Sequence, residues 1–465
     1  MVSREALVSV PRIIVAGVES GPALDLVAGA LLAGLGEQRT VRPILLGLDV
    51  PLWRLLYEAS PKAPRVIDPV LHEPAIADEL VDHWIETVDF ALVVAVRPLL
   101  DSWEGLRGSR ATDTARRMDA PIILALDARD RGPTAAAAVH GVRALVRDVE
   151  LGGIVLVGLD DSSSGAELVE VLRRDVGLPI LGHIPPQLSE QFTRQRGVLS
   201  GAVRTVGARP TTGGSVQLCR EAATYLKLEE ITAVAARRGF VPSPPRRLLV
   251  PDATATDVSV AVAWGEPLQP LVLENVDLLQ AMGVRLLPLN IARDRELPEN
   301  CDGLLLVGTV DEDELAAFAG NEELLTVLRE EIGDGLPTLA FGGGALLLVR
   351  RLSDSRGRSH DMLGLVPCEA EVIEWFDRPH YVKATATRDN PYDEGEALLF
   401  ELFDLEFLVM QQERFPYEVR VADGSPRSEG FVAGRCLASS LFASFPACPS
   451  LAGRFVAAMA AARGV

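Results

Sequence analysis

The feature that most constrains this chain is a repeated alternation of short, nearly unbroken Val/Ile/Leu/Ala runs with amphipathic stretches over its first 190 residues. Strands are expected at Arg12–Val18, Val41–Leu48, Phe90–Val96, Pro121–Ala128, Leu151–Leu159 and Pro179–Ile184. Runs without polar alternation suit strands buried on both faces, the condition of a parallel sheet. The intervening segments Ala23–Leu35, Ala75–Glu86, Ala111–Met118, Thr134–Val149 and Gly165–Val176 carry helical spacing. Strand–helix alternation of this kind predicts a doubly wound, mostly parallel α/β sheet.

The pattern breaks at residues 190–216, rich in Gly, Thr and Arg, which reads as a long loop before a helix from about Val216 to Arg238. Three prolines in residues 237–247 mark a linker. The expected domains are therefore 1–240 and 247–465. Past the linker the reading places strands at Arg247–Val250, Arg285–Leu289, Gly303–Val307 and Pro337–Phe341. Helices are expected at about 268–282, 311–332 and 344–352, then a β-rich region after 365 and a closing helix at Ser450–Ala462. The two halves differ in charge. Residues 1–240 hold 26 Lys+Arg against 30 Asp+Glu, and residues 241–465 hold 19 against 35.

The net charge of −20 argues against nucleic acid or an anionic membrane as partner. No apolar run reaches the ~18 residues of a membrane span, and the first residues lack a signal-peptide pattern, so a cytoplasmic location is expected. Five scattered cysteines without C-x-x-C spacing exclude a zinc ribbon. The six histidines, at 72, 83, 140, 183, 360 and 380, have no metal-ligand spacing, and no metal site is expected. The acidic run 311–325 reads as the solvated faces of two helices.

The order of these pieces resembles the cobyrinic acid a,c-diamide synthase family, which joins a P-loop-type amide ligase domain to a class I glutamine amidotransferase domain. The resemblance rests on residues 108–142, on ELPENCDGLLLVG with ELAAFAGNEELLTVLREEI, and on GFVAGRCLASSLF with LAGRFVAA. It implies a P-loop NTPase-like sheet, an amidotransferase-like second domain and a homodimer.

The positions at which that family carries its chemistry read differently here. A phosphate loop uses glycine amides, a helix N-terminus, a lysine and a hydroxyl to hold nucleotide and Mg²⁺. Gly17, Ser20 and Gly21 remain as a vestigial loop, but Leu24 takes the lysine position, Asp25 follows, and Pro22 enters the loop. Asp49 and Asp101 are kept, whereas Leu45, Val94 and Val157 replace polar residues of the family pattern. A class I glutaminase needs a thiolate on a sharp turn and a histidine to activate it. Gly342 and Phe442 stand at those two positions, and Ser444 at a second histidine.

On this reading no catalytic residue remains, no cofactor is expected, and the protein acts as a silent scaffold, assembly or regulatory protein with an unidentified protein partner. Two alternatives stay open. One is an ATP- and Mg²⁺-dependent a,c-diamide synthase of cobalamin biosynthesis, drawing ammonia and using an unusual nucleotide site. The other is a non-catalytic module that binds nucleotide or tetrapyrrole. Loop 196–214, with Arg196, Arg204 and Arg209, reads as a surface loop able to meet an anion or a partner.

Overall fold

The structure is a computed structural model. It describes residues 7–463 except 9, 104, 130, 200–211, 238–240, 243–245, 250–256, 266–267, 270–271, 411–413 and 421–424. The chain divides into two compact units, Met1–Pro245 and Arg246–Val465.

The first unit is built on a seven-stranded parallel sheet. Its order is Arg65–Ile67, Val41–Leu46, Phe90–Ala95, Arg12–Gly17, Ile122–Asp127, Leu151–Val157, Ile180–Ile184. The four strands from Val41 to Asp127 in that order are buried almost throughout, as their unbroken apolar sequence requires. The helix Pro22–Gly36 follows the central strand after a four-residue turn, with a proline in its first turn, where a missing N–H costs nothing. The helix Val50–Ala59 starts on Asp49, whose side chain accepts from the Leu52 N–H at 3.0 Å. The expected doubly wound parallel fold is present.

Three local expectations are corrected. Residues 190–199, expected as part of a loop, belong to the helix Pro186–Leu199, whose Leu188 and Phe192 are buried. A second helix, Thr212–Ala223, follows; Arg204 and Arg209 lie outside the described residues. The expected helix from Val216 to Arg238 is two helices, broken where the Lys227 N–H donates to the Leu181 carbonyl, after which Leu228–Ala235 resumes.

The second unit holds two sheets. One runs Arg285–Leu289, Ser259–Ala263, Gly303–Val310, Thr338–Gly342 and Cys436–Ser439 in parallel, with Phe431–Ala433 antiparallel at its edge. The other centres on two long antiparallel strands, Val366–Ala386 and Glu396–Met410. Arg285–Leu289 is the edge strand and its partner is Ser259–Ala263, not the expected strand at 247–250, whose last residue lies outside the described set. The expected helix at 344–352 is only Gly343–Leu346. The following residues, Val349–Ser353, instead pair with Ser359–Asp361 and Val366–Ala386. The closing helix is Pro449–Arg463.

Candidate functional site

The turn after the central strand of the first unit brings together several residues singled out in the sequence. Gly17 ends that strand, and a Cβ there would overlap the Glu19 carbonyl, so the tight turn depends on glycine. Ser20 and Gly21 are exposed, and Gly21 caps the helix without any side-chain hydrogen bond. The neighbouring Arg131 pairs with Glu19 across the turn. Leu24, at the lysine position, is buried and supplies no charge.

The missing cation comes from elsewhere in the chain. Arg196, on the Pro186–Leu199 helix, reaches Asp25 with its Nε at 2.5 Å and Asp49 with its Nη2 at 3.0 Å. Both carboxylates are buried, and the guanidinium is largely so. Its partners lie 171 and 147 residues away, so no local pattern announces the group. Asp25 and Asp49 share the Arg196 guanidinium at the start of the Pro22–Gly36 helix. Asp101 lies on an exposed turn, its N–H donating to Pro98, and is not drawn into this group by any of the contacts just described.

The second centre is the turn after Thr338–Gly342. Gly342 has φ +60° and ψ −127°, the strained geometry of a strand-to-helix elbow. Gly343 and Gly344 let the short helix lie against the Gly303–Val310 strand, since a Cβ at either would meet that strand's backbone. The Phe442 ring fills the space a side chain on Gly342 would need. It is fully buried, stacks on Phe400 at 5.2 Å between centroids and meets Phe403 edge-on at 6.3 Å. Segment 443–445 is clamped by Asn275, whose Nδ2 donates to the Ala443 carbonyl at 2.8 Å and whose Oδ1 accepts from the Phe445 N–H at 2.6 Å. Ser444 donates to Glu274 at 3.3 Å. The sequence gives no sign of Glu274 and Asn275, which fall inside the expected helix at 268–282 but begin the observed helix Glu274–Ala281.

The cysteines offer no replacement thiolate. Burial pushes Cys436 up to about 12 and Cys368 up to about 11. Burial likewise raises Cys219, Cys301 and Cys448. Cys301 and Cys448 donate to backbone carbonyls, at Gly303 and Ser444. Among the described residues, no three His, Cys, Asp or Glu side chains are grouped to hold a metal ion, and no helix is long and apolar enough to cross a membrane.

A parallel α/β unit with a strand–turn–helix at its central strand, followed by an α/β unit with a glycine elbow, is the class of protein defined here. Residues 260–437 match the CobB/CobQ-like glutamine amidotransferase domain. The chain is 25% identical over 464 residues to the cobyrinate a,c-diamide synthase of Dehalococcoides mccartyi strain CBDB1, covering 96% of this chain and 97% of that one. It is 28% identical over 386 residues to the hydrogenobyrinate a,c-diamide synthase of Streptomyces coelicolor, covering 76% and 79%. Among solved structures, a glutamine amidotransferase covers 43% of this chain and 98% of its own at 16% identity, with a TM-score of 0.31.

These matches support the amidotransferase domain and a relationship to the cobyrinate a,c-diamide synthase family. They overturn the expectation of a silent scaffold: curated relatives aligned over almost the whole chain are named as synthases. Loss of the elbow thiol bears on where nitrogen comes from, and the charge missing from the phosphate loop has a neighbour in Arg196.

Proposed function

We propose that this protein is an ATP-dependent amide synthase acting on carboxylates of a tetrapyrrole, of the a,c-diamide synthase type, and that it takes free ammonia in place of glutamine. Support for the first half is the similarity to named synthases along nearly the full length of both chains. The choice of ammonia is carried by one observation, the Phe442 ring seated where a nucleophile on residue 342 would be.

The chemistry is consistent with this division. A carboxylate is a poor electrophile until one oxygen becomes a leaving group, which phosphoryl transfer from ATP supplies. Ammonia then adds at the acyl carbon, phosphate departs with the C–O electron pair, and the nitrogen gives up a proton. The residues in line for the nucleotide are the Gly17–Gly21 turn, the uncapped amides of the Pro22–Gly36 helix, and Arg196 as the cation; Asp49 is the acid closest to Arg196 that already caps a helix.

The test is direct. Purified protein is incubated with Mg·ATP and hydrogenobyrinic or cobyrinic acid, with either ammonium chloride or glutamine, and products are read by mass spectrometry. The expected result is carboxamide and ADP with ammonium and neither with glutamine. Amide formation from glutamine would refute the ammonia half, and absence of product with both donors would refute the synthase reading.

A further inference from the structure

A cavity of about 230 Å³ lies in the second unit, lined by the strands Glu396–Met410, Pro426–Glu429 and Cys436–Ser439 and by the end of the elbow helix. This is far more than the ~10–15 Å³ that one water needs. Neither Gly342 nor Phe442 lines it, so it is a chamber distinct from the filled elbow. Its lining includes the apolar Phe403 and Phe431 and, among the described residues, the carboxylates Glu401, Asp404 and Glu429 with the guanidinium of Arg427.

The charges converge. Arg427 pairs with Glu401. Burial works to weaken the guanidinium's hold on its proton, but the hydrogen bond to Glu401 and the fields of Glu401, Glu429 and Asp404 outweigh it. Glu429 is buried and fixed: one of its oxygens accepts from Ser439 Oγ at 3.0 Å, Ser440 N–H at 2.8 Å and Ser440 Oγ at 2.9 Å. Among the described lining residues, three carboxylates face one guanidinium; Glu429 is buried, while Asp404 and Arg427 are exposed at the rim.

The geometry points to this cavity as a binding site for a small organic cation, a primary ammonium group on a short apolar chain. The ammonium meets the surplus of carboxylate, most strongly beside the buried Glu429, where reduced solvation strengthens the attraction. The chain and the charge both gain from the phenyl walls, by burial and by the aromatic quadrupole. An anion of the same size faces repulsion, and a neutral isostere leaves the excess charge uncompensated. The inference is independent of the amide-forming reading, because it uses none of the residues invoked there.

The experiment is calorimetry on the full chain with n-butylammonium chloride, n-butanol and sodium butyrate at one fixed ionic strength. Butylammonium should bind at one site about tenfold or more tighter than butanol, with butyrate undetected. Asp404→Asn should weaken it by about fivefold or more, and Ser428→Lys, at an exposed lining position, should abolish it by placing a competing ammonium in the chamber. Asp361→Asn, an equal charge change on the separate Ser359–Asp361 strand, should leave binding unchanged and so separate local attraction from the overall acidity of the chain. Equal binding of butanol and butylammonium, equal weakening by Asp361→Asn and Asp404→Asn, or no binding at tens of millimolar would each overturn the proposal.

Discussion

The ring of Phe442 occupies the volume into which a Cβ on Gly342 would project, and Gly342 itself sits at φ +60°. The two residues therefore constrain each other: the glycine is required by the ring as well as by the backbone. Gly342→Ala should lose on the order of 2–4 kcal/mol through combined backbone strain and overpacking. Phe442→Leu opens the space and should recover part of that loss in the double variant. Urea unfolding of the four proteins measures the coupling, and strict additivity would show that the ring and the glycine do not interact.

The same relationship settles what restoring a thiol would do. Gly342→Cys should give no ammonia from glutamine, because the sulfur must displace Phe442 and no imidazole stands by to take its proton. The native cysteines should also be slow to alkylate at pH 7, since burial holds all five above the ordinary thiol range. Cys301 and Cys448, which are only partly buried, should react before Cys219, Cys368 and Cys436. Rapid labelling of a fully buried cysteine in the folded protein, followed by mass spectrometry, would contradict this.

Arg196 and its two acids make a prediction of opposite signs. Arg196 joins two buried carboxylates, so Arg196→Ala should lose on the order of 3 kcal/mol of stability. It should also remove Mg·ATP binding. Asp25→Asn removes one competitor for the guanidinium and should tighten Mg·ATP several-fold. Calorimetry on the two variants decides the point, and unchanged nucleotide affinity in both would exclude Arg196 from the nucleotide site.

What could be read without coordinates followed the strength of local patterning. RIIVAG, VRPILL and FALVVA are so continuously apolar that only a strand buried on both faces accommodates them, and all three are central strands. The glycines at 342–344 announced a turn packed against backbone. Residues 190–199 were misread because their Arg, Gln and Gly content resembles a loop, while the helix is held by the two buried contacts of Leu188 and Phe192. Val349–Ser353 followed an apolar helical-looking run, and only pairing with residues 359–361 and 366–371 makes it a strand. Arg196 could not be assigned at all. An ion pair between residues 171 positions apart leaves no periodic trace.

A last prediction concerns acid. His72 is fully buried, its Nδ1 accepts the Asp68 N–H at 3.1 Å, and burial lowers its pKa to about 4 from 6.5. Between those values the unfolded chain binds the proton and the folded one does not. Stability from this group is therefore complete above about pH 6.5, falls as the pH drops, and is exhausted near pH 4. A shift of this size corresponds to roughly 3 kcal/mol. Carboxylates add their own losses at lower pH, so the informative comparison is between pH 7 and pH 5. His72→Gln retains an acceptor for the Asp68 N–H but cannot take up a proton. It should be less stable than the parent at pH 7, through imperfect packing, and should lose less on moving to pH 5. Urea midpoints for both proteins at the two pH values give the answer. Parallel losses would mean that His72 does not drive the acid sensitivity in that window.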